Sequence, residues 1–214
     1  MLLRTAGVAL AVVLLLSTPS HATCTAQVVG NQFVINDCDV VISGGNLFVQ
    51  NGMGSTATTN GKGNIIVGYN EPRSNTTPAD RAGSHNLIVG VRHHYPSYAG
   101  MALGRQNTVS GPYSSVTGGG QNIASGNRSS VSGGQGNVAS GDYSSAAGGA
   151  YSIAGGLTAS VSGGANNVAS GELASVSGGQ GNTASGTEAS VSGGENVTVS
   201  AAAGWAGGGS EHNP

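Results

Sequence analysis

The stretch Ser130-Val131-Ser132-Gly133-Gly134 recurs along the chain with a constant step of 15 residues (145 − 130). Copies or near-copies of it begin at Ser115, Ser145, Ser160, Ser175 and Ser190. A second run, Asn137-Val138-Ala139-Ser140-Gly141, keeps the same step, with counterparts that begin at Asn122, Asn167 and Asn182. So regular a repeat decides the fold, because each unit must pack on the next one in the same way.

Each repeat contains two short runs in which side chains alternate with period 2, which is typical of short β-strands. Glycine ends both runs and would permit the positive φ of tight corners. An α-helix is disfavoured because glycine would fall near the middle of every helical window. The sequence therefore predicts an all-β fold, a parallel β-roll or solenoid of roughly ten coils about 4.8 Å apart.

Stacking in register places identical side chains above one another. We expect one column of valines and one column of asparagines, and stacked asparagines can form a hydrogen-bonded ladder. The interior of such a coil is thin, so we also expect several chains to pack together. The two columns are Val116, Val131, Val161, Val176 and Val191, and Asn122, Asn137, Asn167 and Asn182.

The composition also excludes a thick hydrophobic core, since the 214 residues include 39 glycines and only 4% aromatic residues. A Gly- and Ser-rich disordered linker is the alternative. The fixed slots of Val, Ala, Asn and Gly within the repeat argue against it. With seven basic residues that make no obvious patch and a net charge of −2, no nucleic-acid partner is expected.

The N-terminus has the pattern of a secretory signal peptide over residues 1–22, with Arg4 before an apolar run from Val8 to Leu16. This predicts a secreted protein, extracellular or at the cell surface, with no transmembrane segment in the mature chain. Cys24 and Cys38 are the only cysteines, and in an exported chain they are expected to form a disulfide, with free thiols as the alternative.

Residues 23–60 are predicted to form an N-terminal β cap that carries this disulfide. Its strand-like runs are Gln32–Ile35, Val40–Ile42 and Leu47–Val49. The roll is expected over residues 61–210, followed by a tail, 211–214. An insertion between its first coils, Glu71–Arg81, is rich in charge and proline and is expected to be an exposed loop.

The unit Ser-Val-Ser-Gly-Gly-x-x-Asn-x-Ala-Ser-Gly resembles the head repeat of trimeric autotransporter adhesins (YadA-like heads), and the run from Met101 to Gly111 is nearer still to that pattern. The resemblance covers residues 64–209. It implies a left-handed parallel β-roll, a homotrimer, and a bacterial surface location with contacts to host or matrix proteins. The sequence departs from the family in carrying no heptads and no anchor strands, so no stalk or membrane anchor is expected.

No catalytic, cofactor or metal site is predicted. The Gly-Gly-x-Gly runs are similar to calcium-binding nonapeptide rolls, but asparagine stands where such rolls need aspartate. His85, His93 and His94 are interpreted as loop histidines rather than a metal site. The serines have neither a nucleophile-elbow context nor a histidine or acid in the repeat, so we predict no enzyme.

These features favour a non-enzymatic, adhesin-like binding module for a host, matrix or cell-surface protein or glycan. Two alternatives are a structural subunit of an extracellular fibre or coat and an ice-binding protein with flat serine columns. Recognition should come from the variable turns. On one edge, Tyr113, Arg128 and Tyr143 lie one coil apart, and tyrosine and arginine often anchor interfaces; simple solvated turn residues are the alternative. The other edge is assigned Gln121, Gln135, Tyr151, Asn166, Gln180 and Glu195.

Overall fold

The computed structural model describes residues 25–30, 32–36, 39–74, 77–208 and 210–212. The expected signal peptide, residues 1–22, and the expected disulfide partners, Cys24 and Cys38, lie outside the described residues. Within the described chain, the structure is all-β apart from one 3-10 helix, Pro78–Arg81. The chain divides into two compact units, with the boundary between Leu47 and Phe48.

Twenty strands make up this structure, and most of those in the repeat have only two residues. In chain order they are β1 (Thr25–Val29), β2 (Gln32–Asn36), β3 (Ile65–Val67), β4 (Leu87–Val91), β5 (Met101–Arg105), β6 (Thr108–Val109), β7 (Ser115–Val116), β8 (Ile123–Ala124), β9 (Ser130–Val131), β10 (Val138–Ala139), β11 (Ser145–Ala146), β12 (Ile153–Ala154), β13 (Ser160–Val161), β14 (Val168–Ala169), β15 (Ser175–Val176), β16 (Thr183–Ala184), β17 (Ser190–Val191), β18 (Thr198–Val199), β19 (Trp205–Gly207) and β20 (Ser210–His212).

The second unit is a solenoid whose coils alternate between two parallel sheets. One sheet has 11 strands, in the order β3, β4, β5, then the odd-numbered strands from β7 to β19, and finally β20. The other has seven, the even-numbered strands from β6 to β18. Strands pair with a 15-residue offset, so Val116 lies beside Val131 and Ala124 beside Ala139. The prediction of parallel stacked coils is therefore confirmed. Only β20 runs antiparallel, against β19.

The interior is as thin as the sequence predicts. The 11-stranded sheet contributes the expected valine column, which includes Val116, Val131 and Val161, all at most 1% exposed. The seven-stranded sheet faces it with an alanine column, among them Ala124 and Ala139. Small side chains meet across the coil because its two sheets lie too close together for larger ones.

The two glycine positions of the repeat serve different purposes, which corrects the expectation of a positive φ at both. Gly134 and its counterparts do have a positive φ, 83° at Gly134 itself. Gly141 does not, but a Cβ added there would lie 1.9 Å from the carbonyl oxygen of Gly156 in the next coil. Close stacking of the coils, rather than a left-handed backbone, requires glycine at this second position.

The asparagine column forms a ladder, but its links run from side chain to backbone. Asn137 Oδ1 accepts a hydrogen bond from the Ser152 backbone N–H (3.0 Å), and Asn137 Nδ2 donates to the carbonyls of Gly133 and Gly149, each at 3.0 Å. Asn122 and Asn182 repeat this pattern. The column therefore satisfies buried backbone groups of each turn and fixes the register between coils.

The first unit contains an antiparallel hairpin of β1 and β2, and β2 covers the predicted run Gln32–Ile35. Two other predicted strands are wrong: Val40–Ile42 and Leu47–Val49 are not strands, and Val41 is 83% exposed. Strand propensity depends on a paired and packed neighbour, and these runs have none in the described chain. In the second unit, the backbone N–H groups of Asn51 and Asn60 already bond to His85 and Ser84.

Candidate functional site

The predicted binding residues Tyr113, Arg128 and Tyr143 do lie in one column on the turns between the two sheets. We call this column of turns the first edge. The guanidinium carbon of Arg128 is 5.4 Å from the ring centroid of Tyr113 and 5.4 Å from that of Tyr143. Both distances are within the range of cation–π attraction. Arg128 also donates a hydrogen bond of 2.7 Å to the Tyr143 hydroxyl.

A fourth member of the column, Tyr98, does not follow from the regular spacing of the repeat. Its ring meets that of Tyr113 edge-on, with centroids 5.3 Å apart and an interplanar angle of 86°. The step from Gly90 to Gly104 is 14 residues rather than 15, which places Tyr98 in the slot of Pro112. Reading the turns with that shorter step would have found it. We call Tyr98, Tyr113, Arg128 and Tyr143 the aromatic column.

The backbone of this edge is left-handed in every coil. Tyr113, Arg128 and Tyr143 have φ values of 58°, 55° and 58°. The same holds for Thr158, Leu173 and Glu188 farther along the edge. Because the conformation recurs in every coil, it belongs to the turn itself and does not single out the aromatic column. What distinguishes the column is its side chains, which Asp142, Glu172 and Glu188 replace with acidic groups toward the other end.

On the opposite turns, which we call the second edge, the residues predicted to form one column belong to two neighbouring columns. Gln135, Gln180 and Glu195 align with Arg105 and Gly120 through single-residue bridges. Gln121, Tyr151 and Asn166 occupy the next slot, where φ is between 53° and 60°. Glycine-rich turns give no alternation from which to read this register, so the sequence does not reveal which of two adjacent residues shares a column.

The second edge is recessed near its N-terminal end. One depression of about 340 Å³ is lined by Arg105, Gln106, Gln121, Gln135 and the backbone of three glycines, Gly119, Gly120 and Gly134. A second, of about 280 Å³, is lined by Arg73, Thr108 and Ile123 and shares Gln106 and Gln121 with the first.

The insertion folds against the roll instead of forming the exposed loop that we expected. Arg73 is half-buried, and its Nε donates to the carbonyl of Arg92 at 2.9 Å. Its Nη2 donates to the carbonyl of Gln106, which ties the insertion to the second edge. Burial lowers the pKa of Arg73, and Asp80 offsets part of that effect. Contacts between residues so far apart in sequence leave no local signal.

The interpretation of His93 and His94 as loop histidines is also wrong. His93 is 3% exposed and occupies the asparagine column: Nε2 contacts the Val89 carbonyl (3.0 Å), and Nδ1 accepts from the Asn107 N–H (3.3 Å). His94 lies 3.0 Å from Asp80 of the insertion. Among the described residues, no three His, Cys, Asp or Glu side chains converge as a metal site would require.

The buried imidazole should make the first coils sensitive to acid. Burial lowers the pKa of His93 despite its contacts with the backbone, and burial also lowers that of His94, where Asp80 offsets part of the shift. As the pH falls below about 6.5, the unfolded chain binds the proton first, so the contribution of His93 to stability is present above that pH and is lost below it.

We therefore expect His93→Asn, which places the usual residue in this slot, to lose less stability between pH 7 and pH 5 than the wild type, as measured by thermal unfolding. The matched control Asn107→Gln, which changes the next side chain of the same column, should keep the full pH dependence. Equal pH dependence in the wild type and His93→Asn would contradict this assignment.

Neither a scan against protein-family models nor a search of curated proteins finds a match to this chain. In the described part of the chain, no helix is long and apolar enough to cross a membrane. The fold defines the class of the protein as a β-solenoid with 15-residue coils. Its candidate functional features are the aromatic column on the first edge and the two depressions on the second.

Proposed function

We propose that the protein is an exported, non-enzymatic β-roll that acts as an adhesin-like binding module at a surface or in the extracellular space. One observation carries the proposal: the aromatic column forms a continuous stack of three rings and one guanidinium on the first edge. Tyr113 and Tyr143 are 45% and 52% exposed, so the column offers contact area to a partner.

The stack suits binding because its members are held in place before a partner arrives. Arg128 lies between two rings and bonds one of them, which restricts a side chain that is otherwise flexible. Binding then costs less side-chain entropy. Tyrosine and arginine are also the residue types that dominate many interfaces. The partner is proposed to be a host, matrix or cell-surface protein or glycan, and neither a nucleic acid nor a cofactor is part of the proposal.

The working form is proposed to be a homotrimer, which the resemblance to adhesin heads implies. The thin interior supports self-association, because its valines and alanines bury little apolar area per coil. Burial contributes about 25 cal/mol per Å², whereas ordering the backbone costs about 1–2 kcal/mol per residue. Neighbouring chains would add buried area without adding a larger core to each coil.

The test is the triple variant Tyr113→Ala, Arg128→Ala and Tyr143→Ala, assayed for attachment to plates coated with extracellular-matrix extract. We expect attachment to fall about tenfold or more, because interface anchors of this kind are worth about 2 kcal/mol or more. The circular-dichroism spectrum and the mass measured by light scattering should not change, since the side chains lie outside the interior.

The control is Thr158→Ala, Leu173→Ala and Glu188→Ala, which changes the same turn slot in three later coils of the same edge. This variant should attach like the wild type. Undiminished attachment of the first variant would contradict the proposal. Long filaments in electron micrographs of the wild type would instead favour a structural fibre or coat subunit.

A further inference from the structure

The basic residues are concentrated at one end of the roll, which corrects the expectation that they make no patch. Six of the seven lie between Lys62 and Arg128, and none follows Arg128. Residues 62–128 hold six basic against two acidic residues, a net charge of +4, whereas five acidic residues follow. Since the coils stack about 4.8 Å apart, the two ends of the roll lie farther apart than the Debye length of about 10 Å in 0.1 M salt. The acidic end therefore does not neutralise the basic one.

Within the basic end, the two depressions of the second edge bring cations and amides together. Arg105 is exposed and borders the larger depression, and Arg73 borders the smaller one. Three carboxamides, those of Gln106, Gln121 and Gln135, lie between and beside them, and no carboxylate lines either depression. The glycines of the larger depression present bare backbone, so a ligand can approach closely.

These groups have a specific recognition chemistry. A guanidinium pairs with a carboxylate through two parallel hydrogen bonds, and a carboxamide both donates and accepts, as sugar hydroxyls require. Arg73 is held in position by its bonds to the carbonyls of Arg92 and Gln106, so its charge is fixed at the edge. Gln121 and Gln135, on successive coils, lie 3.4 Å apart and repeat the amide chemistry along the roll.

We infer that the second edge binds an acidic polysaccharide, with Arg105 and Arg73 contacting its anionic groups and Gln106, Gln121 and Gln135 its hydroxyls. A nucleic acid fits less well, because single strands bind through aromatic side chains on which bases stack, and no aromatic residue lines either depression. This site is separate from the aromatic column, and the inference does not depend on the function proposed for that column.

Binding of the purified full chain should be measured by biolayer interferometry to four polymers: polygalacturonate, dextran sulfate, neutral dextran and single-stranded DNA. We expect binding to one or both acidic polysaccharides, with the pair showing whether carboxylate or sulfate is preferred, and no binding to dextran. Affinity should fall as salt rises, because the charged groups are exposed.

Arg105→Gln should weaken polysaccharide binding about tenfold, the effect of losing hydrogen bonds to a charged group. Arg128→Gln removes the same charge from the first edge and should change the affinity less than twofold. The inference is overturned if no acidic polysaccharide binds, if both variants weaken binding equally, or if DNA binds as tightly with the same dependence on Arg105. Because Arg128→Gln alters the aromatic column, the two sites fail independently in these assays.

Discussion

Gly141→Ala is expected to destabilise the roll by about 1–3 kcal/mol or more, the usual cost of inserting atoms where there is no room. The added Cβ would lie 1.9 Å from the Gly156 carbonyl oxygen, and the carbonyl carbon is only 2.5 Å away. Backbone cannot rotate aside as a side chain can, so coils on both sides of the substitution would have to separate. Chemical denaturation followed by circular dichroism should show a lower midpoint.

Gly148→Ala in the same repeat provides the matched control. A Cβ at Gly148 meets nothing within 4 Å, and Gly148 does not have a positive φ. Stability should be unchanged or higher by about 0.4–1 kcal/mol, because alanine restricts the unfolded chain. The chain itself offers a comparison: Ala201 occupies the slot of Gly186, and no described coil stacks above it. Equal loss of stability in both variants would show that clearance between coils is not the reason for glycine at position 141.

Asn137→Ala is expected to have a comparable or larger effect. Asn137 is fully buried, and its removal leaves the Ser152 N–H and the Gly133 carbonyl without this partner inside the roll. Each buried polar group that loses its partner costs about 1–3 kcal/mol. The expected loss of unfolding free energy is therefore about 2–6 kcal/mol, measured by the same denaturation experiment.

Ser152→Asn supplies the opposite change in the same column. Ser152 stands where neighbouring coils have asparagine, and its hydroxyl, rather than an amide, accepts the Asn167 N–H at 3.2 Å. Restoring asparagine should raise the free energy of unfolding by about 1 kcal/mol, the net contribution of a typical hydrogen bond. If Asn137→Ala were as stable as the wild type, the asparagine column would not be what holds the register.

The register of the roll is predictable because its signal repeats. Two alternating runs with a fixed step specify two strands per coil, and each copy reinforces the same pairing, so the step alone places Val131 beside Val116. The shared column of Tyr113, Arg128 and Tyr143 follows from the same arithmetic. Each of these predictions depends only on spacing.

What could not be predicted depends on contacts that spacing does not encode. The clearance at Gly141 is a distance between backbones, which no single repeat reveals. His93 takes the asparagine slot in an irregular early coil, where no repeat marks the position. The bond from Arg73 to the Gln106 carbonyl joins residues 33 positions apart across the insertion.

The equivalence of the coils also has a genetic consequence. From β7 to β17 every coil presents its neighbours with nearly the same surface, so an insertion or deletion of one whole unit leaves no mismatched contact. Tandem repeats in coding DNA change copy number by slippage and unequal recombination. Such events would lengthen or shorten the rod by whole coils without disturbing its fold. Alleles of different length would then hold the aromatic column and the basic end at different distances from the acidic end.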